Sequence, residues 1–195
     1  MFKYFIDSNA GWARFSIKTK DLDVEYSISY CLSENLKDLL AGLIVLTGYN
    51  CHTNIYHDLL ERYLDDNNKY FKWEIDQEGA TVWFLFEKLE EKGKVRLRVI
   101  ENHTGQRCVL NEEIFLDDFI KDIINSCNEM LQKFGIIGYY RNFWIEFPIA
   151  YFLLLSDYLN RKIEYNTISE DDNQNNKIKL YTTNLTEEIN YLSKK

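Results

Sequence analysis

Four consecutive segments, YFKWEID (70–76), ATVWFLFEKL (80–89), GKVRLRVIE (93–101) and RCVLNEEIF (107–115), read as strands, and the residues directly after them change to helical spacing. That change of period limits the fold more than any other feature of the chain. Val95, Leu97 and Val99 alternate with Arg96 and Arg98, which gives a strand one apolar face and one wet face. TVWFLFE is apolar on both faces and belongs at the centre of a sheet. QEG and EEKG between the segments read as hairpin turns and NHTGQ as a short loop, so neighbouring strands run antiparallel. In LDDFIKDIINSCNEMLQKFG, Leu116, Phe119, Ile120, Ile123, Ile124, Cys127, Met130, Leu131 and Phe134 recur at threes and fours. This predicts a helix over 116–134, with Gly135 at its C-terminal cap.

The N-terminal part also reads as strands and then a helix. WARFSIK puts Ala13, Phe15 and Ile17 on one face. VEYSISY puts Val24, Tyr26, Ile28 and Tyr30 on one face and Glu25, Ser27 and Ser29 on the other. SENLKDLLAGLIVLTG then has a helical stripe, Leu36, Leu39, Leu40, Leu43 and Ile44, with Ser33 as N-cap and Gly48 as closure. TNIYHDLLERYL (53–64) predicts a second, short helix. Strands grouped together and followed by helices define an α+β protein. The expectation is a mainly antiparallel sheet of about six or seven strands, with helices over about 33–47, 116–134 and 148–160 packed on one face.

The most apolar run, FWIEFPIAYFLLL (143–155), is the one stretch that invites a membrane reading. Its thirteen residues would span ~20 Å as a helix, short of the ~30 Å hydrocarbon core. Glu146 interrupts it, and Ser156, Asp157, Asn160, Arg161 and Lys162 follow. Pro148 suits a first helical turn, so the run predicts a core helix from about 148 to 160. MFKYFIDSNAGW turns polar too soon for a secretory signal, and the expected compartment is the cytoplasm. At 195 residues, residues 1–163 are expected to form one α+β domain. Residues 164–195 form a C-terminal extension with a polar loop at about 169–176 (SEDDNQNN), one strand (KIKLY) and one short helix (TEEINYL).

A net charge of −8 argues against nonspecific nucleic-acid binding and is compatible with a basic partner, though it also serves simple solubility. The four cysteines, at 31, 51, 108 and 127, have no metal-like spacing. His52 and His57, beside Cys51 and Asp58, are five apart, about 140° around a helix, where a metal pair needs a spacing of three or four. There is no GxSxG, P-loop, GxGxxG or HExxH pattern, so no catalytic, cofactor-binding or metal-ligating residue is expected. Glu74 and Asp76 share one strand face, with Glu78 continuing the row. They support three readings: a solvated face, a charged binding surface, or an acidic catalytic pair. Glu112, Glu113, Asp117 and Asp118 suit a helix start. Tyr139, Tyr140, Phe143 and Trp144 form the densest aromatic cluster, read here as core packing rather than a recognition surface.

Taken in order, SISYCLSENLKDLL, FKWEIDQEGATVWFLF, VRLRVIEN and YYRNFWIEFPIAYFLLL resemble a diffuse family of small bacterial α+β proteins, some of which look like immunity proteins encoded beside polymorphic toxins. The resemblance covers roughly residues 11 to 160. It brings no catalytic residue with it. It implies a non-catalytic cytoplasmic binding protein that neutralises a cognate toxin by covering it. The alternatives are an enzyme with an acidic site and a structural or regulatory adaptor. The expected partner is a protein, a basic toxin domain being one candidate, and neither nucleic acid nor a membrane. Glu25, Glu74 and Asp76 are the expected partner-binding residues.

Overall fold

The computed structural model describes residues 1–6, 12–29, 34–49, 59, 61–64, 70–77, 79–160, 166–171, 177–182 and 185–193. They fall into two compact units, 1–155 and 156–195. In chain order the first unit contains β1 (Phe2–Ile6), β2 (Trp12–Lys18), β3 (Asp23–Ser29), α1 (Asn35–Thr47), β4 (Tyr70–Asp76), β5 (Thr81–Lys88), β6 (Lys94–Asn102), β7 (Gln106–Phe115) and α2 (Leu116–Phe143). Helix α3 (Ile149–Asn160) crosses into the second unit, which holds β8 (Asn166–Asp171), β9 (Lys177–Thr182) and α4 (Leu185–Ser193). The protein is α+β, as the change of period predicts. Ser33, His52, His57 and Glu78, and most of the short helix expected over 53–64, lie outside the described residues.

The seven strands of the first unit form two antiparallel ladders, β1-β2-β3 and β4-β5-β6-β7, rather than one continuous sheet. β5, apolar on both faces, is an interior strand of the second ladder, as expected. β3 lies beside β4, and side chains make the junction: Gln77 Nε2 donates to the Ser27 carbonyl at 3.3 Å, and the Tyr26 hydroxyl donates to Glu101 at 3.2 Å. Both ladders turn their apolar faces to one core. Phe15 of β2 sits at its centre, with its ring 5.0 Å from Trp73 of β4, 5.2 Å from Phe84 of β5 and 6.5 Å from Phe119 of α2.

Helix α1 reaches β4 more closely than any side chain would allow. Gly42 rests on the Phe71 ring, and a Cβ there would meet three ring carbons at 2.0–2.5 Å. The Trp73 indole donates to the Asn35 carbonyl at 2.9 Å, which fixes the start of the helix over the same strand. Gly48 closes α1 in the left-handed conformation, as its position predicts.

Strand β1 is the outer strand of its ladder, where unpaired backbone groups are a liability. Helix α2 covers that edge. Asp122 accepts from the Phe2 amide at 2.8 Å, and Ser126, one turn on, accepts from the Tyr4 amide at 3.2 Å while donating to the Asp122 carbonyl. Ser126→Ala leaves the buried Tyr4 amide without an acceptor. The expected loss is about 1–3 kcal/mol, read as a lower urea midpoint at unchanged m-value together with faster hydrogen exchange at Tyr4.

One sequence expectation is corrected here. Residues Ser169–Asp171 of the expected polar loop are strand instead. β8 pairs with β9 from Asn166↔Thr182 to Asp171↔Lys177, so ladder pairing with the KIKLY segment overrides the polar composition. Residues 172–176 lie outside the described set. The end predicted at Gly135 for the 116–134 helix holds, with a further helical segment following it within α2. Gly135 has φ 65° and ψ 174°, a left-handed break that glycine tolerates, and the helix resumes beyond it to Phe143. No helix among the described residues is long and apolar enough to cross a membrane.

Candidate functional site

The three acids singled out by the sequence are all on the outer strand faces, away from the shared core. Glu25 on β3 is exposed and ion-paired with Arg14 at 2.6 Å. Glu74 on β4 is exposed and ion-paired with Lys72 at 2.7 Å. Asp76 is half-buried at the end of the same strand, opposite Thr81. Glu74 and Asp76 are thus brought onto one face. Glu25 belongs to the neighbouring ladder, two residues from the Ser27 carbonyl at which the ladders touch.

These acids are not alone on their face. Register carries it across four strands as Tyr70, Glu87, Arg96 and Glu113 in one row and Lys72, Leu85, Arg98 and Asn111 in the next. Arg96 bridges Glu113 at 2.9 Å and Glu87 at 3.6 Å, and Lys72 lies 4.3 Å above the Trp83 ring. The face carries opposite charges side by side, with Glu74 offset by Lys72 and Glu87 and Glu113 by Arg96. Among the described residues, no three His, Cys, Asp or Glu side chains group as a metal site. Cys127 is fully buried on the core stripe of α2, and burial pushes its thiol up from the ordinary value.

The far end of α2 has a different character. Beyond the Gly135 break, the resumed helix buries Tyr139 against Phe147, ring edge to face at 5.2 Å, and Phe147 in turn packs on Phe152 at 5.8 Å. Burial raises the Tyr139 phenol above its ordinary value. With that side anchored, the opposite side presents Ile137 at 74% exposure, Tyr140 at 52% and Trp144 at 78%. Their spacing of i, i+3 and i+7 places them along one helical face. Ile136, 46% exposed, widens the patch.

Trp144 ends the helix in the left-handed conformation, φ 59° and ψ 16°, with its amide donating to the Tyr140 carbonyl at 2.7 Å. It is the one non-glycine residue with positive φ among those described. Glycine is the usual occupant of such a cap, and an L side chain there costs roughly 1–2 kcal/mol. Beside the ridge lies a cleft of about 490 Å³, lined by Tyr140, Trp144, Pro148 and Tyr151 with Glu34 and Lys37 at its rim. Lys37 donates to Glu34, and that bond raises the Lys37 pKa.

The core reading of the Tyr139–Trp144 cluster therefore holds for Tyr139 and fails for Tyr140 and Trp144; the Phe143 side chain lies outside the described set. Helical periodicity could not find the ridge, because Ile137 continues the phase of the buried stripe, seven residues after Met130. The break at Gly135 re-aims the last two turns. No family model, curated protein or solved structure matches this chain.

Proposed function

We propose that this is a non-catalytic protein-binding module of the cytoplasm, acting as an immunity protein that neutralises a toxin domain by occluding its working surface. The observation that carries the binding reading is the strained, exposed Trp144 at the end of an Ile137–Tyr140–Trp144 ridge. Large apolar side chains lined up on a helix suit an apolar groove on a protein partner. Tryptophan and tyrosine are the residues that most often dominate such interfaces. Helical anchors need shape complementarity and no chemistry of their own. The resemblance to immunity proteins supplies the class of partner, and the net charge of −8 favours a basic one.

The ridge, rather than Glu25, Glu74 and Asp76, is assigned the central contact, because Arg14 and Lys72 offset two of those acids. The acids remain suited to steering. Reversal of Glu74 and Asp76 to Lys is then expected to slow association, with little change in dissociation.

The test is co-expression with the toxin domain encoded next to the gene, followed by titration of the purified pair. Trp144→Gly is expected to weaken binding about 30-fold or more, as loss of an anchor worth about 2 kcal/mol requires. The same variant is expected to raise unfolding stability by about 1 kcal/mol, since it relieves the left-handed strain. A Trp144→Gly protein that still protects and binds at full affinity removes the ridge from the interface. A toxin domain that neither binds the wild-type protein nor is detoxified by it ends the immunity reading.

A further inference from the structure

β1 and β7, the outer strands that do not face the other ladder, are treated differently. β1 has α2 side chains against its edge amides, whereas β7 pairs with β6 and, among the described residues, has no second strand partner. β7 is ten residues long, with Gln106, Arg107, Cys108, Asn111, Glu113 and Phe115 exposed. A strand of that length, without a second strand partner among the described residues, is a template for another strand.

Its charge order says which strand. Arg107 stands near one end and Glu112 and Glu113 near the other. Residues five apart on a regular strand point to opposite faces. The irregularity opposite Val99 and Ile100 leaves Val109 as the extra residue in β7 and resets the alternation. Arg107, paired with Glu101, and Glu112, paired with Leu97, consequently share the core-side face, while Cys108 and Asn111 share the outer one. An antiparallel second copy of β7 can then be laid with Arg107 opposite Glu112, Gln106 opposite Glu113 and Cys108 opposite Asn111. Every such pair joins residues of one face, and two opposite-charge pairs form across the two-fold axis. A parallel copy would stack like charges instead.

We infer that β7 is a self-complementary edge through which two copies of this chain join their four-stranded ladders into one eight-stranded sheet. This site is separate from the binding ridge. Leu116–Gly135, about 30 Å of helix, lies between the end of β7 and Ile137. A dimer therefore carries two ridges.

Sedimentation equilibrium of the full chain over a range of concentrations tests the idea. The wild-type protein is expected to approach twice its 23.4 kDa mass. Arg107→Glu and Glu112→Arg each bring like charges together twice and are expected to weaken the dimer about tenfold or more. The double exchange, Arg107→Glu with Glu112→Arg, restores both pairs and should restore the dimer, which separates lost pairing from lost folding. Asn111→Cys adds a register check, because Cys108 of the second copy would face it and an oxidised inter-chain disulfide should form. A wild-type chain that stays monomeric at every concentration overturns the inference. So does a dimer that Arg107→Glu leaves intact, or one that Trp144→Gly abolishes.

Discussion

Truncation of Phe15 to alanine is expected to destabilise the first unit by about 3–5 kcal/mol, a large fraction of the roughly 5–15 kcal/mol by which domains are stable. Phe15 is fully buried, and its ring lies edge-on to both Trp73 and Phe84 while also approaching Phe119. Those neighbours belong to a different ladder and to a helix. Among the described residues no backbone ladder joins β3 to β4, so this aromatic cluster is a principal contact between the two ladders. The cavity left by alanine would therefore weaken an inter-ladder contact, where collapse needs two sheets to move. Phe5→Ala is the control: the same chemistry on β1, half-exposed beneath Arg14, should cost about 1 kcal/mol or less. Urea midpoints at constant m-value measure both. Equal losses for the two variants would mean that the ladders do not share the core described.

Gly42→Ala is the second large effect, and its sign runs against helix propensity. Alanine in place of an interior glycine ordinarily stabilises a helix by about 1 kcal/mol. Here the new methyl group would overlap the Phe71 ring. That ring has no free volume to enter, because it is fully buried, stacked on Phe86 at 5.4 Å and edge-on to Tyr63 at 6.2 Å. The helix must lift from β4 or the ring must distort, at about 1–3 kcal/mol or more. With overpacking at the upper end of that range, because the ring cannot yield, the net expectation is a loss of up to about 2 kcal/mol. Phe71→Leu frees space, so the double variant should be more stable than the sum of the two single losses by about 1 kcal/mol or more. A neutral or stabilising Gly42→Ala would show that α1 stands off the strand.

Local pattern determined a good deal of this protein by itself. Alternation in VEYSISY and KVRLRV depends only on the two-residue repeat of an extended chain, so β3 and β6 and their inward residues were legible, and TVWFLFE, apolar on both faces, was legible as an interior strand. The same holds for the stripe of α2 as far as Met130, and for the solvent-facing side of Glu25 and Glu74. β1 was less legible, because a five-residue strand leaves too short a pattern.

Only the tertiary structure decided how those pieces meet. Lys72 and Glu74 share a strand face by their spacing, but the nearness of Trp83 to Lys72 depends on the register between β4 and β5. The division of the strands into two ladders depends on how closely β3 and β4 approach, which no repeat encodes. The ridge shows the limit most clearly. Ile137 is in phase with the core stripe and would be buried on a straight helix, yet it is 74% exposed. Glycine at 135 made a break readable. The direction taken after it was set by Tyr139 seating on Phe147, a contact between segments, and that contact left Tyr140 and Trp144 facing outward.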